Sequence, residues 1–170
     1  RQSLIRLMVY ANEFKIEGLI ASSAGTPGEL KISITRPELI REIVDAYGKV
    51  RPHLARHAEG WPEAPELAGK IKSGNPHRGR PFIGEGHDTE GSQWLIGRID
   101  EGTPERPLNI SIWGGQTDLA QALWRVKTTR DGAGFLDFTK RFRVYDIADQ
   151  DGIAAIAQDV GLLARLATGQ

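Results

Sequence analysis

The chain has 170 residues, of which 22 are Lys or Arg and 22 are Asp or Glu, so no net field recruits nucleic acid or an anionic membrane surface. Its length suits one domain with a substantial core. The absence of cysteine excludes disulfides, thiolate zinc sites and cysteine nucleophiles, which leaves oxygen and imidazole as metal ligands. No apolar run approaches the roughly 20 residues that cross a bilayer, and no signal peptide is recognisable.

In chain order, Leu4, Ile5, Leu7, Met8, Ala11 and Phe14 repeat at helical spacing and predict a core-facing helix from the second or third residue. The branched run IEGLIASS, Ile16 to Ser23, is closed by Gly25, Pro27 and Gly28 and reads as a buried strand. From Pro37 to about Ala58, Leu39, Ile40, Ile43, Val44, Tyr47 and Val50 share one helical face, with Pro37 in the first turn and Pro52 expected to bend or end the helix. APELAGKIKSG reads as a shorter helix stopped by Gly74, before the polar loop NPHRGRP. A helix with its body at Gln93 to Asp100 follows.

RPLNISIWGG is the clearest strand, because Leu108, Ile110 and Ile112 alternate with Asn109 and Ser111 before Gly114 and Gly115. TDLAQALWRVKTT then predicts a helix with Leu119, Ala120, Leu123 and Val126 inward. After a helical piece around Phe135 to Arg141 comes the strand FRVYDIA, and DQDGIAAIAQDVGLLARLA closes the chain as one or two helices. Strands alternating with helices predict an α/β fold with a mostly parallel sheet covered on both faces. Neither an internal repeat nor a low-complexity tract is present.

In such folds ligands bind beyond the carboxyl ends of the strands. That rule selects SSAGTPG, WGGQTD and DIADQDG, with GEGHDTEGS joining them if Pro81 to Ile83 forms a strand. Asp146, Asp149 and Asp151 crowd one probable strand end, and clustered carboxylates need a cation, a basic side chain or sugar hydroxyls. The alternative is that Asp149 or Asp151 caps the next helix. In GEGHDTEGS, Glu85, His87, Asp88 and Glu90 could bind a metal or sugar, or Asp88 or Thr89 could simply cap a helix whose first turn favours acids. Trp113, beside Gly114, is the tryptophan placed to stack on a sugar or base, whereas Trp61, Trp94 and Trp124 read as packing residues. His53, His57 and His77 read as surface residues. No G-x-S-x-G elbow, Walker loop or dinucleotide fingerprint occurs, which leaves carboxylate chemistry or plain binding.

The segments QSLIRLMVYANEFKIEGLIA, RPELIREIVDAYGKVRPHL, GEGHDTEGSQWLI, RPLNISIWGGQTDLAQALWRV and RVYDIADQD, from Gln2 to about Gly152, resemble the nucleoside hydrolase-like domain of bacterial cellulose-binding proteins, within the inosine-uridine nucleoside hydrolase superfamily. The resemblance implies a Rossmann-like α/β fold. It also implies a glycosidase acting on a nucleoside or sugar derivative through water on a calcium ion, or a non-catalytic carbohydrate-binding domain on the same scaffold. By the same likeness Asp88, Glu90, Asp146, Asp149 and Asp151 are carried over, and with His87, Trp113 and Gly114 from the reading of the loops they make the candidate ligand positions. The family's aspartate-rich loop and first strand would precede Arg1 and its late metal-ligating aspartate would follow Gln170, so residues 1–170 are expected to be a single nucleoside hydrolase-like domain without those parts. The expected partner is a small molecule or carbohydrate, with homo-oligomerisation open, and secretion or a periplasmic location is implied only by the family.

Overall fold

The computed structural model describes residues 2–23 and 32–146, which divide into two compact units. The first comprises Arg1–Ala21 and Arg36–Ser73, and the second Ser22–Thr35 and Gly74–Gln170. The loop 24–31, Asp149, Asp151 and the expected closing helices lie outside the described residues.

In the first unit, α1 (Gln2–Met8) gives way to a 3-10 turn at Ala11–Glu13 and then to β1 (Leu19–Ala21). The helix is shorter than its periodicity predicts. Met8 and Ala11 are buried, but Phe14 and Ile5 are exposed. The long helix α2 (Pro37–Leu54) buries Val44 and Tyr47. It passes through Pro52 rather than ending before it: proline in the last turn removes only one backbone bond, to the Gly48 carbonyl. Val50, expected inward, is exposed.

After α3 (Ala64–Gly69) the sequence reading needs correction. Ile71–Ser73, expected to continue that helix, forms β2 and pairs in parallel with β1, with Leu19 opposite Ile71 and Ala21 opposite Ser73. Gly69 lowers helical stability there, and the β-branched Ile71 gains a buried place beside Leu19. Such a three-residue strand, with no alternation to display, is specified by its partner rather than by its own letters.

The core of this unit joins Met8, Ala11, Ile16, Leu19, Val44, Tyr47, Leu67 and Ile71. Two α2 side chains strap the loop that follows α2 onto it. The Tyr47 hydroxyl donates to the Pro62 carbonyl at 2.8 Å, and the Arg51 guanidinium donates to the carbonyls of Trp61 at 2.9 Å and Pro62 at 3.0 Å. Burial raises the Tyr47 pKa, although the nearby Arg51 charge opposes that shift, so the phenol stays a donor.

In the second unit, α4 (Glu90–Asp100) packs against α5 (Thr117–Thr129), which in turn meets α6 (Gly132–Thr139). β3 (Leu108–Ile112) and β4 (Phe142–Asp146) pair in parallel, from Leu108 opposite Phe142 to Ile112 opposite Asp146. Arg130 makes a bidentate pair with Asp100, at 2.8 and 2.6 Å, and tethers the end of α5 to the end of α4. Pro81 to Ile83 is not a strand: Arg80–Phe82 forms a 3-10 turn, because Pro81 has no amide to give to a ladder. Among the described residues, the expected parallel pairing is thus realised as two parallel strand pairs, β1 with β2 and β3 with β4.

Leu67 is fully buried at the centre of the first unit. Leu67→Ala is expected to destabilise the chain by about 2–5 kcal/mol, read as a lower urea midpoint in a denaturation curve.

Candidate functional site

The polar architecture of the second unit is built around two places: the carboxyl ends of β3 and β4, and the first turn of α5. At the strand ends, β3 stops at Ile112 and the chain continues through Trp113, Gly114 and Gly115 to Gln116, while β4 ends on Asp146, the register partner of Ile112. Trp113 is 60% exposed, unusually open for so large an apolar side chain. The Gln116 amide donates to the Asp146 carboxylate instead of capping α5. Gly114 is a close-approach residue, since a Cβ on it would lie 3.3 Å from the Ser22 hydroxyl. Arg78 donates to the hydroxyl and the carbonyl of Ser23, both at 3.2 Å. An exposed ring, a carboxylate and an amide therefore all belong to the carboxyl ends of this parallel strand pair.

The second place went unseen in the sequence. Asp118, in the first turn of α5, is only 4% exposed. Its carboxylate accepts the Asn75 amide on both oxygens, at 2.9 and 3.1 Å, and the Thr89 hydroxyl at 2.6 Å. Next to it the Thr117 hydroxyl accepts the Gly79 amide at 3.1 Å. The positive end of α5 favours a carboxylate there, and the Asn75 amide and the Thr89 hydroxyl replace part of its lost hydration. Gly74 is required by this arrangement, because a Cβ on it would run into the Asp118 carboxylate, 2.7 Å from Cγ. In the sequence Asp118 is one acid in an ordinary helix start. A TD pair after two glycines carries no signal that the acid points inward.

In GEGHDTEGS the cap and the loop belong to different residues. Thr89 is the N-cap of α4 in a reciprocal box with Ser92: the Ser92 amide donates to the Thr89 hydroxyl and the Thr89 amide to the Ser92 hydroxyl, each at 2.9 Å. Glu90 sits in the first turn, where the helix dipole favours it. Asp88 reaches α5 instead, accepting from Gln121 at 2.6 Å and pairing with Arg125. Gln121, 1% exposed, also closes a two-way bond with Gly84, accepting its amide at 2.7 Å and donating to its carbonyl at 3.0 Å. This holds a loop that turns on Gly84 and Gly86, at φ 132 and 80, values that side chains disfavour. His87 meets Phe82 edge-on at 6.2 Å, and His77 stacks on the same ring at 4.4 Å. Both imidazoles therefore pack against an aromatic ring.

Trp94 and Trp124 carry Arg98 and Arg125 over their rings, at 4.8 and 5.1 Å, and Trp61 packs against the first unit's core. Among the described residues no group of three or more His, Asp or Glu side chains could hold a metal ion. Asp88, Glu90 and Asp146 thus make no cation cage by themselves. No helix among the described residues is long and apolar enough to cross a membrane.

These features define an α/β scaffold with parallel strand pairs, a polar strand-end crest and a buried carboxylate that organises its loops. The chain belongs to the family described as cellulose-binding Sde182, nucleoside hydrolase-like domain, which it matches over residues 1–159. Among solved structures it is similar to a nucleoside hydrolase-related hypothetical protein from Saccharophagus degradans that is associated with carbohydrate metabolism, at 36% identity and a TM-score of 0.83. The likeness covers 92% of this chain and 37% of that one, so the chain spans well under half of its solved relative. No curated protein matches it.

Two measurements test the loop anchors. Burial pushes the Asp88 carboxyl up, but hydrogen bonds from Arg125 and Gln121 and the Arg125 charge outweigh this and leave its pKa below the ordinary 3.8. A carboxyl depressed by folding contributes stability above its unfolded pKa and loses it as pH falls through the folded one. In acid-denaturation curves, wild type should therefore be more stable than Asp88→Asn above pH 3.8, with the advantage shrinking as the pH drops below that value. Thr89→Ala removes both the α4 cap and a donor to the buried Asp118 carboxylate and is expected to cost about 2–4 kcal/mol by urea denaturation, with Thr89→Ser recovering most of it.

Proposed function

We propose that the chain is a carbohydrate-binding domain on a nucleoside hydrolase-like scaffold, and that its strand-end crest holds a sugar without cleaving it. The observation that carries this reading is the exposed Trp113 beside Gly114, with the Gln116–Asp146 pair on the neighbouring strand end. An indole offers an apolar face to the C–H side of a pyranose, while neighbouring polar side chains bond its hydroxyls. The family carries cellulose binding in its description, and the solved relative is associated with carbohydrate metabolism, which makes a glucan the first ligand to try.

Asp88 and Asp118 support binding over hydrolysis. Each is already saturated with donors: Gln121 and Arg125 on the first, Asn75 and Thr89 on the second. A general base needs a free lone pair within hydrogen-bond reach of the attacking water. The second reading, cleavage of a nucleoside or related glycoside with calcium, is favoured by Asp146, a carboxylate at a strand end where Asp149 and Asp151 follow closely in sequence. Oxygen donors of this kind suit calcium, which would supply charge for a bound water.

Trp113→Ala is expected to abolish retention on insoluble cellulose while leaving the melting temperature within a degree or two, because an exposed ring contributes little to stability. Retention unchanged in the variant would sink the binding reading. A rise in melting temperature with calcium, together with release of base from inosine or uridine, would favour the hydrolase instead.

A further inference from the structure

β3 and β4 are parallel strands, and parallel strands are normally buried on both faces and read as continuous apolar runs. These two do not. Leu108, Ile110 and Ile112 on β3, with Phe142 and Val144 on β4, turn to one side and are buried or half-buried. Asn109, Ser111, Arg143 and Tyr145 turn to the other and are exposed. Register places Asn109 opposite Arg143 and Ser111 opposite Tyr145, so the four share one face in two rows. Trp113, also exposed, stands one residue past the end of β3.

The chemistry of that face selects its occupant. A face meant to receive an apolar helix or strand layer would carry Val, Ile or Leu, and an amide, a hydroxyl and a guanidinium would be left without water beneath such a layer. A face meant only for solvent would not hold a tyrosine at 66% exposure and a tryptophan at 60%. Hydrogen-bonding groups in line with two exposed rings fit a ligand that has hydroxyls on its edges and C–H surface on its faces.

We infer that the outer face of β3 and β4 is a track for an extended neutral glucan chain running from Trp113 toward Asn109 and Arg143. This inference rests on the carbohydrate-binding reading and extends it from a strand-end pocket to a linear site. From Asn109 to Trp113 is four residues of strand, about 13 Å, long enough for consecutive sugar units rather than one. Tyr145 and Trp113 are the stacking positions. Asn109, Ser111 and Arg143 supply donors and acceptors to hydroxyls along the chain, Arg143 through a fork of fixed N–H groups.

The test is calorimetric titration of glucose, cellobiose and cellohexaose into the wild-type chain, Trp113→Ala, Tyr145→Ala and Arg143→Ala, with circular dichroism verifying each fold. The track requires cellohexaose to bind wild type at least about tenfold more tightly than cellobiose, and Tyr145→Ala to weaken cellohexaose about tenfold, the scale of one lost aromatic contact. Arg143→Ala should weaken the longer sugar more than the shorter one. Equal affinity for the two sugars, with Tyr145→Ala and Arg143→Ala binding as wild type and Trp113→Ala not, would overturn the track and leave the strand-end pocket standing. No binding of any of these sugars by wild type would overturn both. A solution dimer that Tyr145→Ala converts to monomer would overturn the track by naming a second copy as the occupant.

Discussion

The second unit is organised by one buried ionisable group. Asp118 is a carboxylate with almost no contact with water, and it is tolerated because the first turn of α5, the Asn75 amide and the Thr89 hydroxyl together replace its hydration shell. Each donor comes from a different segment. The bond to Asn75 fixes the chain just after β2, the bond to Thr89 fixes the start of α4, and the bond from Gly79 to the adjacent Thr117 fixes the turn between them. Removing the carboxylate would strand the Asn75 amide and the Thr89 hydroxyl together, whereas shrinking an apolar side chain would leave only a void. Gly74 follows from the same constraint, because only glycine leaves room for the carboxylate.

A consequence reaches the question of chemistry. Three acids of the unit tie its segments together: Asp118 holds Asn75 and Thr89, Asp88 holds Gln121 and Arg125, and Asp100 holds Arg130. A carboxylate whose oxygens all accept strong hydrogen bonds is a poor proton acceptor and a good strut. The part of the surface with open chemistry is instead aromatic and neutral-polar, around Trp113 and across β3 and β4. That division between structural acids and exposed rings is what the proposed binding role rests on.

The two parallel strand pairs are finished differently. In the β1–β2 pair, Leu19, Ala21 and Ile71 are buried, and the first two belong to a strand of only three residues. The longer β3–β4 pair keeps one apolar face and turns an amide, a hydroxyl, a guanidinium and a phenol outward. Its alternation is typical of half-open antiparallel sheets and unusual for parallel pairing. The pattern was visible in LNISI and FRVYD, but the parallel register that brings Tyr145 beside Ser111 was not.

The helices of regular period were legible from sequence alone. α2, α4 and α5 fall close to where their apolar spacing places them, because a face of Leu, Ile and Val at helical intervals has one good way to be buried. β3 and β4 were legible for the equivalent reason at a period of two. The capping role of Thr89 could be weighed against that of Asp88 but not decided, since both are good caps and the choice depends on Arg125 standing within reach of Asp88. β2 and the buried Asp118 belonged to tertiary structure outright. A three-residue strand needs its partner to be a strand, and an acid in a helix start is ordinarily solvated. Local sequence carries the period of each element, whereas the direction in which one polar side chain points depends on donors that are up to 43 residues away along the chain and meet only in the folded structure.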